Sequence, residues 1–351
     1  MRVVISGYYG FGNVGDEAVL AGVLQDLRAR LPEARVVVVS GNPSRTRCLH
    51  GVEAVRRGPA ALRAASGAAL FISGGGGLIQ DATSARSAAY YLGELLAASV
   101  LARRTMLYAV GIGPLRRRWI RGLAAAVLSR VDALVVRDDD SRQLLHSLGI
   151  RRPVEVAADP AFAVPPAPPE EVADLFGALP PPRIGLVLRP WGTDAHLPAV
   201  TDAVGRLVRE ENARAVALAF HPEVDLRVSV SAARALGAPV VAGLSPRAVL
   251  AAVGELDLLV AMRLHGVIAA VVQGVGAAGL AYDPKVRSLC SRAGLPALSP
   301  EECDPARLFD VLRTAWGRRG ALRPHLRERA REMRAAAARA ADVAASLVRR
   351  P

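Results

Sequence analysis

Residues 2–17 read RVVISGYYGFGNVGDE: a short β-branched run, Val3–Ser6, then a glycine-rich turn, then a helical stretch read over Glu17–Leu31. Strand, tight turn and helix in that order make a βα unit, the building block of a parallel sheet. Working outward, the pattern repeats. Strand-like runs come at Arg35–Ser40, Ala68–Ser73, Thr105–Val110, Ala133–Val136 and Val154–Ala157, with helical stretches such as Ser87–Ala102 and Arg116–Ser129 between them. Prolines then cluster at 165–169 and 180–182 around one short helical piece, which reads as a semi-rigid, extended linker. The alternation restarts at Arg183 and continues through Ala215–Phe220, Pro239–Ala242, Leu256–Ala261 and Ala278–Tyr282. The pattern predicts an α/β chain of two Rossmann-like domains facing across a cleft. Their expected bounds are 1–165 and 183–321, with a proline-rich linker at 166–182 and a C-terminal helix over 322–351.

The composition agrees. At 351 residues the chain exceeds what one core usually supports, and 52% hydrophobic residues suffice for two. Aromatics are only 4%, which argues against a single-strand nucleic-acid binder needing stacking platforms. The formal net charge of +13 is spread along the chain and favours anionic small molecules or an acidic membrane surface over nucleic acid. Cys48, Cys290 and Cys303 show no CxxC spacing, so reduced thiols are expected, and no metal site. Residues 1–7 read as a strand with no secretory signal pattern. A cytoplasmic protein is expected, with the Arg/Ala-rich terminal helix packing on the domains or touching the inner membrane surface.

Chemistry-bearing residues gather at strand ends, where ligands bind in open parallel sheets. The first turn offers Gly12, Asn13 and Asp16, with Asp16 read as a helix N-cap. Its glycine spacing matches the dinucleotide type, but the next strand ends in Ser40-Gly41-Asn42 without the acid that binds ribose. Gly74, Gly75, Gly76 and Gly77 follow another strand, and consecutive glycine amides suit a carboxylate, phosphate or sugar. Asp81 closes that motif. Arg137 follows the run Leu134–Val136, with a salt bridge to one of Asp138 to Asp140 as the alternative reading. In the second half Arg189, His221, Arg263 with His265, and Lys285 each follow a strand, and Asp225 stands where it could orient His221. Lys285 is the only lysine in a chain with 45 Lys and Arg residues. Its retention points to a need for a compact ammonium where a planar fork would not serve.

Seven pieces of the chain, in order, resemble the polysaccharide pyruvyl transferase family, in particular the bacterial cell-surface-anchoring type. They are GYYGFGNVGDEA near residue 7, ISGGGGLIQD near 72, AVGIGP near 109, VVRDDDS near 135, LRPW near 188, RLHG near 263 and YDPKV near 282. Val14 departs where threonine is usual, and Gly276 where a proline often precedes the YDPK strand. The resemblance implies a glycosyltransferase-B-like fold. It also implies transfer of pyruvate from phosphoenolpyruvate, a co-substrate, to a lipid-linked or nucleotide-linked glycan acceptor, forming a ketal with no other cofactor. His265 then reads as the acid/base. Arg263, Lys285, Arg189 and His221 in the second domain, with Arg137 from the first, read as donor-binding residues, and the glycine loops, through Asp81, as the acceptor side. A nucleotide-sugar-dependent glycosyltransferase of the same fold is the alternative reading. So is a non-enzymatic binder of anionic surface polymer.

Overall fold

In the computed structural model, residues 1–82, 84–177 and 179–349 are described. They divide into two compact units. Unit 1 comprises Met1–Phe11, Asp16–Val164 and the chain from Glu332 onward; unit 2 comprises Gly12–Gly15 and Pro165–Arg331.

Unit 1 contains β1 (Arg2–Ser6), most of α1 (Val14–Arg30), β2 (Arg35–Ser40), α2 (Pro43–His50), β3 (Glu53–Arg56), α3 (Pro59–Ala65), β4 (Leu70–Gly74), α4 (Ala85–Leu101), β5 (Thr105–Val110), α5 (Arg118–Leu128), β6 (Ala133–Val136), α6 (Asp139–Ser147) and β7 (Val154–Val156). Its seven strands are parallel in the order β3-β2-β1-β4-β5-β6-β7. β4 and β5 are buried at every position, as expected of central strands covered on both faces. The core beneath the helices is built on Phe71, Leu92, Leu107, Ile120 and Leu134.

Unit 2 contains α7 (Ala173–Phe176), β8 (Arg183–Val187), α8 (Leu197–Glu210), β9 (Arg214–Ala219), α9 (Pro222–Leu236), β10 (Val240–Ala242), α10 (Pro246–Gly254), β11 (Leu258–Ala261), α11 (Leu264–Gln273), β12 (Gly276–Leu280), α12 (Pro284–Ala293), β13 (Ala297–Leu298) and the first part of α13 (Pro305–Arg349). Its six parallel strands run β10-β9-β8-β11-β12-β13. Pro222, Pro246 and Pro284 open α9, α10 and α12, where a missing N–H costs no helix bond.

Three expectations are corrected. Most of the stretch expected as an extended linker at 166–182 is folded, residue 178 lying outside the described residues: a 3-10 turn at Pro169–Glu171 leads into α7, Val172 and Phe176 are buried, and the Ala167 N–H donates to the Arg247 carbonyl at 2.9 Å. The terminal helix begins at Pro305 instead of 322. Two short strands, β3 and β13, went unread; with four and two residues they carry no period to read. Among the described residues no helix is long and apolar enough to cross a membrane.

Candidate active site

In both units the strand order reverses direction beside the first strand, between β1 and β4 and between β8 and β11. The loops leaving those neighbours diverge, so a crevice opens at the carboxyl edge of each sheet.

Unit 2 furnishes its crevice with cations and imidazoles. Arg263, the residue before α11, grips Asp225 with two N–H groups: Nε lies 2.5 Å from Oδ2, and Nη2 donates to Oδ1. Asp225 is fully buried on α9 and its Oδ2 also accepts the His221 backbone N–H at 2.9 Å. A fork held on both carboxylate oxygens cannot rotate, so the plane of the guanidinium is fixed. The guanidinium has five N–H donors, so others stay available to a ligand. Two residues on, the His265 imidazole packs on the Gly15 backbone. A side chain at Gly15 would place its Cβ 2.2 Å from Nδ1, so only glycine fits. Residues Gly12–Gly15 are pinned to this unit by the Val14 N–H, which donates to the Phe220 carbonyl at 2.9 Å. Asn13 Oδ1 accepts the Gly15 N–H at 3.1 Å.

Arg189 follows β8 and is half-buried; its Nη1 donates to Tyr282 Oη at 2.9 Å, and its guanidinium lies 4.5 Å from that ring's centre. Lys285 stands in the first turn of α12, about a third exposed, with Nζ 3.0 Å from Asp283 Oδ2. Asp283 also caps α12 by accepting the Lys285 N–H. His221 is buried at the start of α9. The ends of β8, β9, β11 and β12 therefore carry Arg189, His221, Arg263 with His265, and Lys285.

Unit 1 builds its crevice from backbone, rings and carboxylates. Gly10, Gly75 and Gly76 hold φ of +80, +63 and +75, a region that favours glycine. Gly75 also has no room: a Cβ there would lie 1.9 Å from Val19 Cγ1. The Tyr9 hydroxyl donates to the Gly74 carbonyl at 2.5 Å. Asp16 faces Gly76, whose added Cβ would sit 3.0 Å from Oδ1. Glu17, buried, accepts the Gly10 N–H through Oε1 and meets His50 Nε2 through Oε2, both at 2.8 Å. That buried pair fixes the first loop from below.

Several expected roles change on this geometry. Asp16 is not the helix cap, because α1 begins at Val14 and Asp16 lies inside its first turn. The four glycines do not present four consecutive amides: β4 runs on to Gly74, and the Gly75 N–H donates to the Tyr108 carbonyl at 2.8 Å. Gly76 and exposed Gly77 lie beyond the strand. Asp81 is buried, with each carboxylate oxygen 2.7 Å from a backbone N–H, of Arg116 and of Arg117; its side chain holds the loop after β5. Arg137 is buried between Asp159 at 3.1 Å and Asp138 at 3.5 Å, and a Cβ at Gly111 would lie 2.2 Å from its Nη2. Asp225 orients Arg263 and takes the backbone of His221. The reading by sequence missed this, as it missed His50 beneath Glu17. Among the described residues no group of three His, Cys, Asp or Glu side chains is arranged to hold a metal.

Two Rossmann-like sheets of this order define a glycosyltransferase-B-like protein. Solved structures of that kind align over nearly the full length. Anabaena HepE in complex with UDP-glucose is 12% identical, covers 99% of both chains and gives a TM-score of 0.68. A UDP-GlcNAc 2-epimerase from Neisseria meningitidis bound to UDP-GlcNAc is 10% identical, with 99% of each chain covered and a TM-score of 0.64. A glycosyltransferase from Rickettsia africae is 12% identical, with 100% and 99% covered and a TM-score of 0.61. No curated protein sequence matches the chain. The profile of the polysaccharide pyruvyl transferase family matches residues 13–284, and the chain belongs to that family.

Proposed function

We propose that the chain transfers pyruvate from phosphoenolpyruvate to a sugar of a cell-wall polysaccharide precursor, in the manner of the cell-surface-anchoring members of its family. The product is a pyruvate ketal, and phosphate is released. The observation that carries this reading is the Arg263–Asp225 clamp beside His265, with Arg189 and Lys285 at neighbouring strand ends. The donor bears a carboxylate and a phosphate, so it needs several fixed cations and one acid/base group. In this scheme carbon 3 of the enol gains a proton and becomes a methyl group, leaving carbon 2 cation-like. One sugar hydroxyl adds to carbon 2 and loses its proton. The bond from carbon 2 to the phosphate oxygen breaks, and a second hydroxyl closes the ketal while its proton leaves. Two hydroxyl protons are thus released, one balancing the proton on carbon 3 and one leaving with phosphate. His265 handles a proton, while Arg263, Lys285 and Arg189 hold the two anions. The glycine loops, rings and carboxylates of unit 1 suit the hydroxyls of an acceptor.

The likeness to HepE with UDP-glucose favours a second reading, a nucleotide-sugar glycosyltransferase. An acidic residue in unit 2 would then hold a ribose. Asp283, the residue nearest that role in sequence, caps α12 and pairs with Lys285. The test is phosphate release from phosphoenolpyruvate with a panel of lipid-linked and nucleotide-linked sugars. Release with one of them supports pyruvyl transfer. Consumption of a UDP-sugar without phosphoenolpyruvate would replace it with the glycosyltransferase reading.

A further inference from the structure

Arg57 directly follows β3, at the carboxyl edge of the unit 1 sheet. It carries a full charge, yet among the described residues no carboxylate lies within ion-pairing distance of it. Its Nε is shielded from solvent and has no hydrogen-bond acceptor. Aromatic faces hold it instead: the guanidinium carbon lies 3.8 Å from the centre of the Tyr90 ring, 5.3 Å from that of Tyr91 and 5.4 Å from that of Phe11. A cation on ring faces keeps its charge for an incoming anion while its plane is fixed. Arg137 and Arg263 are instead neutralised by aspartates.

The surroundings specify more than an anion. Phe11 belongs to the loop leaving β1 and stacks on Tyr8 at 4.4 Å. Tyr90 shows one face to Arg57 and donates its hydroxyl to Glu94 Oε1 at 3.0 Å. Glu94 and Tyr90 line a cavity of about 340 Å³ between α3 and α4, where Gly58, Ala89 and Gly93 leave room by having small side chains or none. Gly58 is the neighbour of Arg57 in sequence. Tyr90 thus joins a cation held on aromatic faces to a cavity edged by a carboxyl–hydroxyl pair, an arrangement that matches a ring carrying hydroxyls and an acidic substituent. Burial raises the Glu94 carboxyl above its usual range, against hydrogen bonds from Ser6 and Tyr90 that lower it. A carboxyl held toward its protonated form can donate to a hydroxyl as well as accept from one.

We propose that Arg57, Phe11 and Tyr90 anchor an acceptor subsite in unit 1 that takes the phosphate or carboxylate of an anionic sugar, with the adjoining cavity receiving the sugar ring. The assignment rests on the acceptor role given to unit 1 above. It is tested by titrating the full chain, without donor, with glucose 1-phosphate, glucuronate and glucose. At least one anionic sugar should bind about 10-fold tighter than glucose, the gain of one charge-assisted contact. Preference for glucose 1-phosphate assigns a phosphate; preference for glucuronate assigns a carboxylate. Arg57→Ala should remove that advantage, and Arg57→Lys should restore only part of it, since an ammonium lacks the planar fork. Thermal midpoints close to the wild type's establish that the variants fold; if the alanine variant does not fold, the lysine variant gives the same reading. Anionic sugars binding no better than glucose to the wild type, or an advantage undiminished in the folded variants, would overturn the subsite. Phosphoenolpyruvate titrated in parallel keeps the two readings apart: its failure to bind the wild type counts against the donor, not against Arg57.

Discussion

The two sheets share a strand order and a crevice in the same topological place, but the crevices are furnished oppositely. In unit 2 the strand ends carry Arg189, His221, Arg263, His265 and Lys285. In unit 1 they carry glycines with positive φ, aromatic rings, the carboxylates of Asp16 and Glu17, and two arginines, Arg137 neutralised by aspartates and Arg57 held on rings. The comparison separates two things that a fold contributes. Topology sets where a ligand goes, and the side chains at that place set which ligand it is.

The sharpest way to break the contrast is at Asp225. Asp225→Ala leaves a buried guanidinium without its counter-charge, which should cost about 3–5 kcal/mol of stability. Denaturant unfolding measures this, and a loss as small as that of a surface substitution would mean the clamp is not a buried pair. Next comes His265→Ala, expected to lower turnover about 100-fold or more while phosphoenolpyruvate affinity changes little. Near-normal turnover would make His265 structural and move attention to His221. Lys285 comes third. If its ammonium meets the donor, Lys285→Arg should lose affinity almost as fully as Lys285→Ala, because the fork is larger and aimed differently. An arginine variant with normal affinity would take Lys285 out of the unit 2 set.

Unit 1 answers with smaller effects. Gly75→Ala combines a positive φ with a Cβ 1.9 Å from Val19 and should cost about 1–3 kcal/mol. An unchanged thermal midpoint would show that this loop is not shaped by the packing described. The mildest test uses Glu94. Burial raises its folded-state carboxyl above the unfolded value. Stability from this group is therefore complete below the usual carboxylate range and falls as pH rises through the raised folded value. Glu94→Gln should flatten that part of the midpoint-versus-pH curve, and a curve of unchanged slope would reassign the dependence elsewhere.

Most of the fold was legible because central parallel strands are continuous apolar runs between turn residues, as in residues 105–110. Edge strands such as Glu53–Arg56 have neither the length nor the pattern. Of the site, the positions at strand ends were legible, as was the adjacent pair of Arg137 with Asp138, but the partners distant in sequence were not. Arg263 and Asp225 lie on different βα units and meet only once the sheet order is known; the same holds for Arg137 and Asp159. Nothing in the run Val55-Arg-Arg-Gly58 marks Arg57 as the arginine that will lie on aromatic rings.

The prolines that open α9, α10 and α12 stand directly after His221, Ser245 and Asp283. A residue before proline is kept from the helical region, and these three hold ψ of 85, 162 and 136. The same restriction acts on the unfolded chain, which has fewer arrangements to give up when it folds. Each such proline is worth about 0.4–1 kcal/mol by that route. The rigidity of the cationic edge is thus written partly into the denatured ensemble, where no contact of the folded protein would reveal it.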